Sequence, residues 1–180
     1  FPIRDARGRA ISLGGRALDP AARAKYLNGP ETELFDKGRQ LFNIGPAREA
    51  AGKGKPLIVA EGYMDVIALC DAGFTATVAP LGTAVTEDQL RLMWRIHPEP
   101  VIALDGDKAG LRAALRVVDL ALPMLEAGRA LRFGLLPEGQ DPDDLIRARG
   151  PQAMQTVLDA AEPMAALLWR RETEGRSFDS

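Results

Sequence analysis

Pro100-Val101-Ile102-Ala103-Leu104-Asp105-Gly106-Asp107-Lys108-Ala109-Gly110 is the stretch on which the fold turns. Its first half is an apolar run too short for a helix, the pattern of a strand buried on both faces. Two carboxylates around a glycine then form a polar turn at the carboxyl end of that strand. From Ala109 to Ala127 the apolar spacing predicts a long amphipathic helix, with Gly128 beyond its end and Pro123 as the point where it kinks.

The same grammar repeats on both sides. Leu57-Ile58-Val59-Ala60 is a second buried strand, followed by a helix over 64–72 that Gly73 closes. Ala76-Thr77-Val78-Ala79 is a third, and Thr86 with Gln89 makes a capping box that opens a helix to about Ile96. Leu131-Arg132-Phe133-Gly134-Leu135 is a fourth. Strand alternating with helix in this way predicts an α/β fold with a largely parallel sheet flanked by helices.

Outside this unit the pattern is weaker. Residues 3–18 read as a hairpin turning at Asp5-Ala6-Arg7-Gly8. Residues 19–56 are irregular, with one short helix expected around 35–44 from Leu34, Leu41 and Phe42, and an exposed connection expected over 47–56. Helices are expected over 142–149 and 151–161, and a further one from Met164. The expected organisation is therefore a mixed α+β basic segment over 1–36, a metal-binding domain over 37–163, and the start of a helical subdomain over 164–180.

Composition narrows the class. The chain has 180 residues, 46% hydrophobic and 27% charged, as in ordinary globular proteins. No apolar run is long enough to span a bilayer, and no secretory leader opens the chain, so a cytoplasmic, non-membrane protein is expected. The single cysteine, Cys70, allows neither an internal disulfide nor a cysteine-based zinc site. A start at Phe1 and an end at Ser180 are expected of a piece of a longer protein. The net charge of −2 hides an asymmetry: residues 1–55 hold 11 Lys/Arg against 6 Asp/Glu, and residues 56–180 hold 12 against 19. That suits a protein gripping phosphates on one side and metal on the other, although solvated faces produce the same imbalance.

The acids fall where strands end. Glu61 follows the strand at 57–60, Asp105 and Asp107 follow the one at 100–104, and Asp141 and Asp143 lie after the one at 131–135. In a parallel sheet these ends share an edge, where ligands bind. Gathered carboxylates repel and take up protons unless a cation compensates them. Magnesium, a hard ion that divides its shell among carboxylates, water and phosphate, removes the conflict. Each element has a plain reading too: Asp-Gly-Asp as a turn, Asp141-Pro142-Asp143-Asp144 as a helix cap, and Asp65 as an acid offsetting a helix dipole. Three such accidents at one edge are less common than one. Glu61, Asp105 and Asp107 are the expected direct ligands, with Asp141, Asp143 and Asp65 completing the catalytic group.

Several stretches resemble the bacterial replicative primases. They are Glu61-Gly62-Tyr63-Met64-Asp65-Val66, Leu81-Gly82-Thr83, Asp105-Gly106-Asp107-Lys108-Ala109-Gly110 and Leu136-Pro137-Glu138-Gly139-Gln140-Asp141-Pro142-Asp143. Phe1-Pro2-Ile3-Arg4-Asp5, Gly14-Gly15-Arg16, Lys25-Tyr26-Leu27-Asn28 and Lys37-Gly38-Arg39-Gln40 extend the resemblance to the amino-terminal part. It implies a TOPRIM domain with Glu61, Asp105 and Asp107 as metal-binding acids. It also implies that Arg16, Lys25, Asn28, Lys37 and Arg4 line the nucleotide and nucleic-acid track. The implied reaction is magnesium-dependent synthesis of an RNA primer on single-stranded DNA from nucleoside triphosphates, with manganese able to substitute. The resemblance further implies that zinc is carried in a domain, and the replicative helicase contacted through a segment, outside this chain. The isolated piece is therefore expected to prime poorly or not at all.

Two other readings stay open on sequence. Another TOPRIM enzyme, a topoisomerase or nuclease, would share the acids, but neither Tyr26 nor Tyr63 sits in a recognisable nucleophile context. A non-catalytic nucleotide- or nucleic-acid-binding module would keep the acids around a structural metal.

Overall fold

A computed structural model describes residues 1–19, 21, 24–82 and 84–173. The amino-terminal part is a three-stranded antiparallel sheet of β1 (Pro2–Arg4), β2 (Ala10–Arg16) and β3 (Tyr26–Asn28), in that order. The predicted hairpin is present. Asp5 holds its turn by accepting from the amides of Arg7 and Arg9 at 2.9 and 3.0 Å. β3 lies in the stretch expected to be irregular, and its register on β2 pairs Arg16 with Tyr26.

The second sheet has six strands in the order β4-β6-β5-β7-β8-β9. Its centre is β5 (Ile58–Val59), β6 (Thr77–Pro80), β7 (Val101–Leu104) and β8 (Arg132–Leu135), all parallel. Two short antiparallel strands, β4 (Leu41–Phe42) and β9 (Glu162–Pro163), close its edges. The helices are α1 (Ile44–Gly52), α2 (Tyr63–Asp71), α3 (Glu87–Ile96), α4 (Lys108–Ala121), α5 (Pro142–Arg149), α6 (Pro151–Asp159) and α7 (Met164–Thr173).

Strand alternation distributes the core between the two faces. In β7, Val101 and Ala103 pack with Val66 and Leu69 of α2, Leu145 of α5, and Met154 and Leu158 of α6. Ile102 and Leu104 face the opposite way, against Leu90 and Met93 of α3, Ala114 and Val118 of α4, and Met164 and Leu167 of α7. Both faces are covered, which is why these strands read as unbroken apolar runs. Each large side chain so buried contributes about 1.5–3 kcal/mol. The capping box at α3 is present: Thr86 accepts from the Gln89 amide at 3.2 Å, and the Thr86 amide donates to Gln89 Oε1 at 3.0 Å.

Three sequence expectations need correction. No helix runs over 35–44. The chain there forms a 3-10 turn at Lys37–Arg39 and then β4, because tertiary partners take its backbone groups. Gln89 Nε2 donates to the carbonyls of Lys37 and Gln40 at 2.9 and 3.0 Å, and the Thr86 hydroxyl donates to that of Gly38. The connection expected over 47–56 is largely α1, whose buried face is Ile44, Ala47 and Ala50. Alanines bury little apolar surface, so the helical spacing there gives a faint hydrophobic signal. Finally, Pro123 does not kink a helix running to Ala127. α4 ends at Ala121 and passes into a 3-10 turn at Leu122–Met124. Proline has no amide to donate and crowds the preceding turn.

α7 packs against α4, where Arg171 pairs with Asp119 at 2.6 Å. The remainder of the expected helical subdomain, residues 174–180, lies outside the described residues.

Candidate active site

Strand order places the site. From β5 the chain crosses by α2 to β6 on one side, then by α3 over β5 to β7 on the other. The order reverses between β5 and β7, and a crevice opens outside their carboxyl ends. Glu61 follows β5 and Asp105 follows β7. The Asp105 amide donates to Glu61 Oε1 at 3.3 Å, tying the two ends together.

Two glycines bring the Asp105 turn this close to its neighbours. A β-carbon on Gly106 would lie 2.1 Å from the Pro137 carbonyl oxygen and 2.3 Å from that of Leu136. One on Gly110 would lie 2.1 Å from the Asp105 carbonyl oxygen. Both contacts are to backbone, which cannot swing aside. The spelling Asp-Gly-Asp-Lys-Ala-Gly is therefore a packing requirement as well as a chemical one.

Around this turn the acids influence one another. Burial, then the charges of Glu61, Asp141, Asp107 and Asp144, push the Asp105 carboxyl up to about 6. Burial also pushes Asp65 up to about 7, followed by the charge of Asp141, with Asp105 and Glu61 adding to the rise. The Gly62 amide, donating to Asp65 Oδ2 at 3.0 Å, partly offsets that rise. Asp105 Oδ1 is buried and has no hydrogen-bond partner.

The remaining predicted acids have other contacts. Asp107 caps α4 by accepting from the Gly110 amide at 2.7 Å, and Asp141 caps α5 by accepting from the Asp144 amide at 2.7 Å. Asp143 turns along α5 to pair with Arg147 at 2.8 Å. Among the described residues, no three His, Cys, Asp or Glu side chains are arranged to hold a metal ion by themselves. An unpartnered carboxylate oxygen, raised carboxyl groups and an all-oxygen donor set fit a hard divalent cation that completes its shell with water and phosphate. They do not fit a closed protein cage.

The opposite wall comes from the β3 end of the amino-terminal sheet and from the 3-10 turn at Lys37–Arg39. Lys25, Asn28 and Lys37 line a cleft of about 870 Å³ together with Glu61, Asp65, Asp105 and Asp141. Arg16 and Lys25 each place their charge 5.8 Å from the centre of the Tyr26 ring. Arg16 thus borders the cleft through Tyr26 rather than lining it. Arg4 lies at the hairpin turn, donating to the Gly8 carbonyl at 2.8 Å, and takes no part in the cleft wall. Thr83, in the quoted Leu81-Gly82-Thr83 stretch, lies outside the described residues.

Two features escaped the sequence reading. Asp144 acts on Asp105, although it appeared on sequence only as part of a helix cap. Tyr63 joins the two sheets. Its hydroxyl donates to Asn28 Oδ1, Asn28 Nδ2 donates to the Leu81 carbonyl at 2.8 Å, and its ring stacks on Phe1 and meets Phe42 edge-on. An aromatic two residues after the first acid was the available signal.

A parallel sheet with acids at the reversal of strand order, facing a basic cleft wall, is the arrangement of a Toprim-type domain joined to a basic amino-terminal segment. The comparisons agree in both parts. A Toprim-like family matches residues 58–146, and the DNA primase catalytic core, N-terminal domain, matches residues 1–48. The DNA primase of Escherichia coli K12 is 46% identical over 169 residues, which is 94% of this chain and 29% of that protein. A solved DnaG primase catalytic domain bound to single-stranded DNA superposes with a TM-score of 0.91 at 43% identity, over 98% of this chain and 56% of that one. The RNA polymerase domain of Mycobacterium tuberculosis primase in complex with double-stranded DNA gives 0.84 at 34% identity, over 100% and 58%.

The chain belongs to the bacterial DNA primase family and corresponds to part of its catalytic core. It spans less than a third of the length of the E. coli relative. Among the described residues no helix is long and apolar enough to cross a membrane.

Proposed function

We propose that this chain is the metal- and nucleotide-handling part of a primase, a nucleotidyltransferase that makes short RNA primers on single-stranded DNA from nucleoside triphosphates. The observation that carries this reading is the single cleft with Glu61, Asp65, Asp105 and Asp141 on one wall and Lys25, Asn28 and Lys37 on the other. Carboxylates alone would repel a triphosphate, and cations alone would bind one without activating it.

Glu61 and Asp105 would hold the divalent cation, magnesium with manganese as a substitute, with Asp107 reached by release of its cap. Asp141 and Asp65 contribute charge behind them, and Asp143 stands at the rim. When bound, such a cation lowers the pKa of an attacking hydroxyl and neutralises developing phosphate charge. Lys25 and Lys37 hold the triphosphate oxygens, and Asn28 is kept in place by Tyr63 and Leu81. In the transfer, a primer 3′-oxygen bonds to the α-phosphorus as pyrophosphate leaves. The proton passes to water or to a cleft carboxylate, for which Glu61 is exposed and available.

Template, primer and helicase contacts would be shared with parts of the protein beyond this chain, as would zinc binding. The proposed setting is the bacterial cytoplasm at the replication fork. Proposed divisions fall at residues 36/37 and 163/164.

The test is primer synthesis by the intact protein that carries this chain. Asp105→Asn should abolish it and Tyr63→Phe should retain it, whereas the isolated chain should prime poorly or not at all. Loss with Tyr63→Phe but not with Asp105→Asn would point to a strand-cleaving Toprim enzyme and overturn the proposal.

A further inference from the structure

α4 carries a basic edge that the proposed chemistry does not use. Lys108, Arg112 and Arg116 recur at four-residue spacing, so they share one side of the helix, and all three are exposed. Among the described residues no carboxylate stands within ion-pair range of any of them. Elsewhere unpaired helical cations are isolated: Arg91 of α3 pairs with Glu87 and Asp88 and Arg147 of α5 with Asp143, so that Arg95 and Arg149 on those helices do not extend into an unpaired run. Asp119, three residues beyond Arg116, pairs instead with Arg171 of α7. Like charges four residues apart destabilise a helix, so helix stability does not explain the stripe.

Its position ties it to the site. Lys108 directly follows Asp107. Arg116 lines a groove of about 320 Å³ with Glu61, Ala113, Val117 and the ends of β5 and β7. Glu61, Pro80 and Gly82 also line the main cleft, so the groove and the cleft meet along these residues.

We propose that this edge of α4 holds the sugar–phosphate backbone of the paired template–product duplex as it leaves the acidic site. The inference rests on the primase reading above. Eight residues of helix rise about 12 Å. A strand presents one phosphate per about 3.4 Å of duplex axis, so three cations over that length match a run of about four phosphates. Tracks for single strands interleave charge with aromatic rings on which bases stack. Tyr26 between Arg16 and Lys25 is such a pairing on the opposite wall. The α4 edge has no aromatic residue from Lys108 to Ala121, so it is built to grip backbone rather than bases. A single strand entering along one wall and a duplex leaving along the other gives the cleft a direction.

Fluorescence anisotropy on the 180-residue chain tests this, with a labelled RNA–DNA hybrid of about 12 base pairs, a labelled single-stranded DNA of matching length, and fixed magnesium. Replacing Lys108, Arg112 and Arg116 together by glutamine should weaken hybrid binding about tenfold or more at low salt and reduce the log–log salt slope by about 2–3. Arg112→Gln alone should reduce the slope by about 1. Single-strand binding should stay within about twofold, and the melting temperature should hold or rise as like charges are removed. Unchanged hybrid affinity and slope, or equal loss on both probes, overturns the proposal. A chain that binds single strands but no hybrid overturns it and leaves the primase reading standing. A chain that binds neither also overturns it, and the primase reading is then decided by the Asp105→Asn priming test on the intact protein.

Discussion

The Asp105 amide and the Glu61 carboxylate, 44 residues apart in sequence, meet at 3.3 Å across the reversal of strand order. One acid is thereby fixed in place by the backbone of the other. The charge of Glu61, held beside that turn, raises the Asp105 carboxyl. The pair holds more negative charge than its surroundings compensate, which is the electrostatic condition for cation binding.

Asp105→Asn should therefore reduce the magnesium- or manganese-induced rise in melting temperature far more than Asp143→Asn does. A loss of about tenfold in cation affinity corresponds to about 1.4 kcal/mol, or about 3–5 °C for a chain of this size. Asp143 already has Arg147 as a counter-ion at 2.8 Å, so its removal should change the response by less than about twofold. Thermal melts over a cation titration read both. Equal effects would remove the ranking of the acids.

The raised carboxyl groups make stability fall with pH in the absence of a cation. Asp65 and Asp105 move from 3.8 to about 7 and about 6 on folding, so between about pH 4 and 7 the folded state holds more protons than the unfolded state. Below that window both states are protonated and these groups contribute nothing. Above it both are ionised and the destabilisation is complete. Melting in chelator should therefore show a decline from about pH 5 to about pH 7.5. Asp65→Asn should flatten the decline and raise the neutral-pH melting temperature, and magnesium should recover the wild-type loss. A steeper decline in Asp65→Asn would contradict the assignment.

Gly106→Ala should unfold the chain or cost about 3 kcal/mol or more, because its methyl group would overlap two carbonyl oxygens and the backbone must move. Gly110→Ala should behave alike. Gly52, at the end of α1 with nothing within 4 Å of a β-carbon, is the control. There alanine should be neutral or stabilise by up to about 1 kcal/mol. Denaturant melts at a fixed m-value distinguish the two kinds of glycine.

Residues whose partners are close in sequence, or whose burial is two-sided, were legible in advance. The strands at 58–59, 77–80, 101–104 and 132–135 announce themselves as apolar runs, and their order of appearance places Glu61, Asp105 and Asp141 at one edge. The strands at 41–42 and 162–163 have two residues each and no period to detect. They exist because β6 and β8 offer free edges. Residues 37–42 were misread because their partners are distant in sequence: Thr86 and Gln89 hold the carbonyls of Lys37, Gly38 and Gln40, and β6 pairs with Leu41 and Phe42. Among the functional residues, type and position relative to a strand end were enough to nominate Asp105. They were not enough to tell Asp143, paired with Arg147, from Asp144, which acts on Asp105. That difference is set by the rotation of α5 about its axis.

Tyr63→Phe separates the joint between the sheets from the chemistry beside it. The hydroxyl donates to Asn28, while the ring packs against Phe1 at 5.2 Å and Phe42 at 4.7 Å between centroids. Burial raises the Tyr63 pKa, so the group stays a neutral donor throughout the working range. Removing the hydroxyl leaves Asn28 Oδ1 without that donor and should cost about 1–2 kcal/mol, against about 3–5 for Tyr63→Ala. The cation response, which depends on Glu61 and Asp105, should be intact in Tyr63→Phe. Nucleotide affinity should fall, because Asn28 is then held only through its bond to the Leu81 carbonyl. Melts with magnesium and with a nucleoside triphosphate, compared in wild type and Tyr63→Phe, measure the two separately. Equal loss of both responses would mean that Tyr63 acts on the acids themselves rather than on the wall facing them.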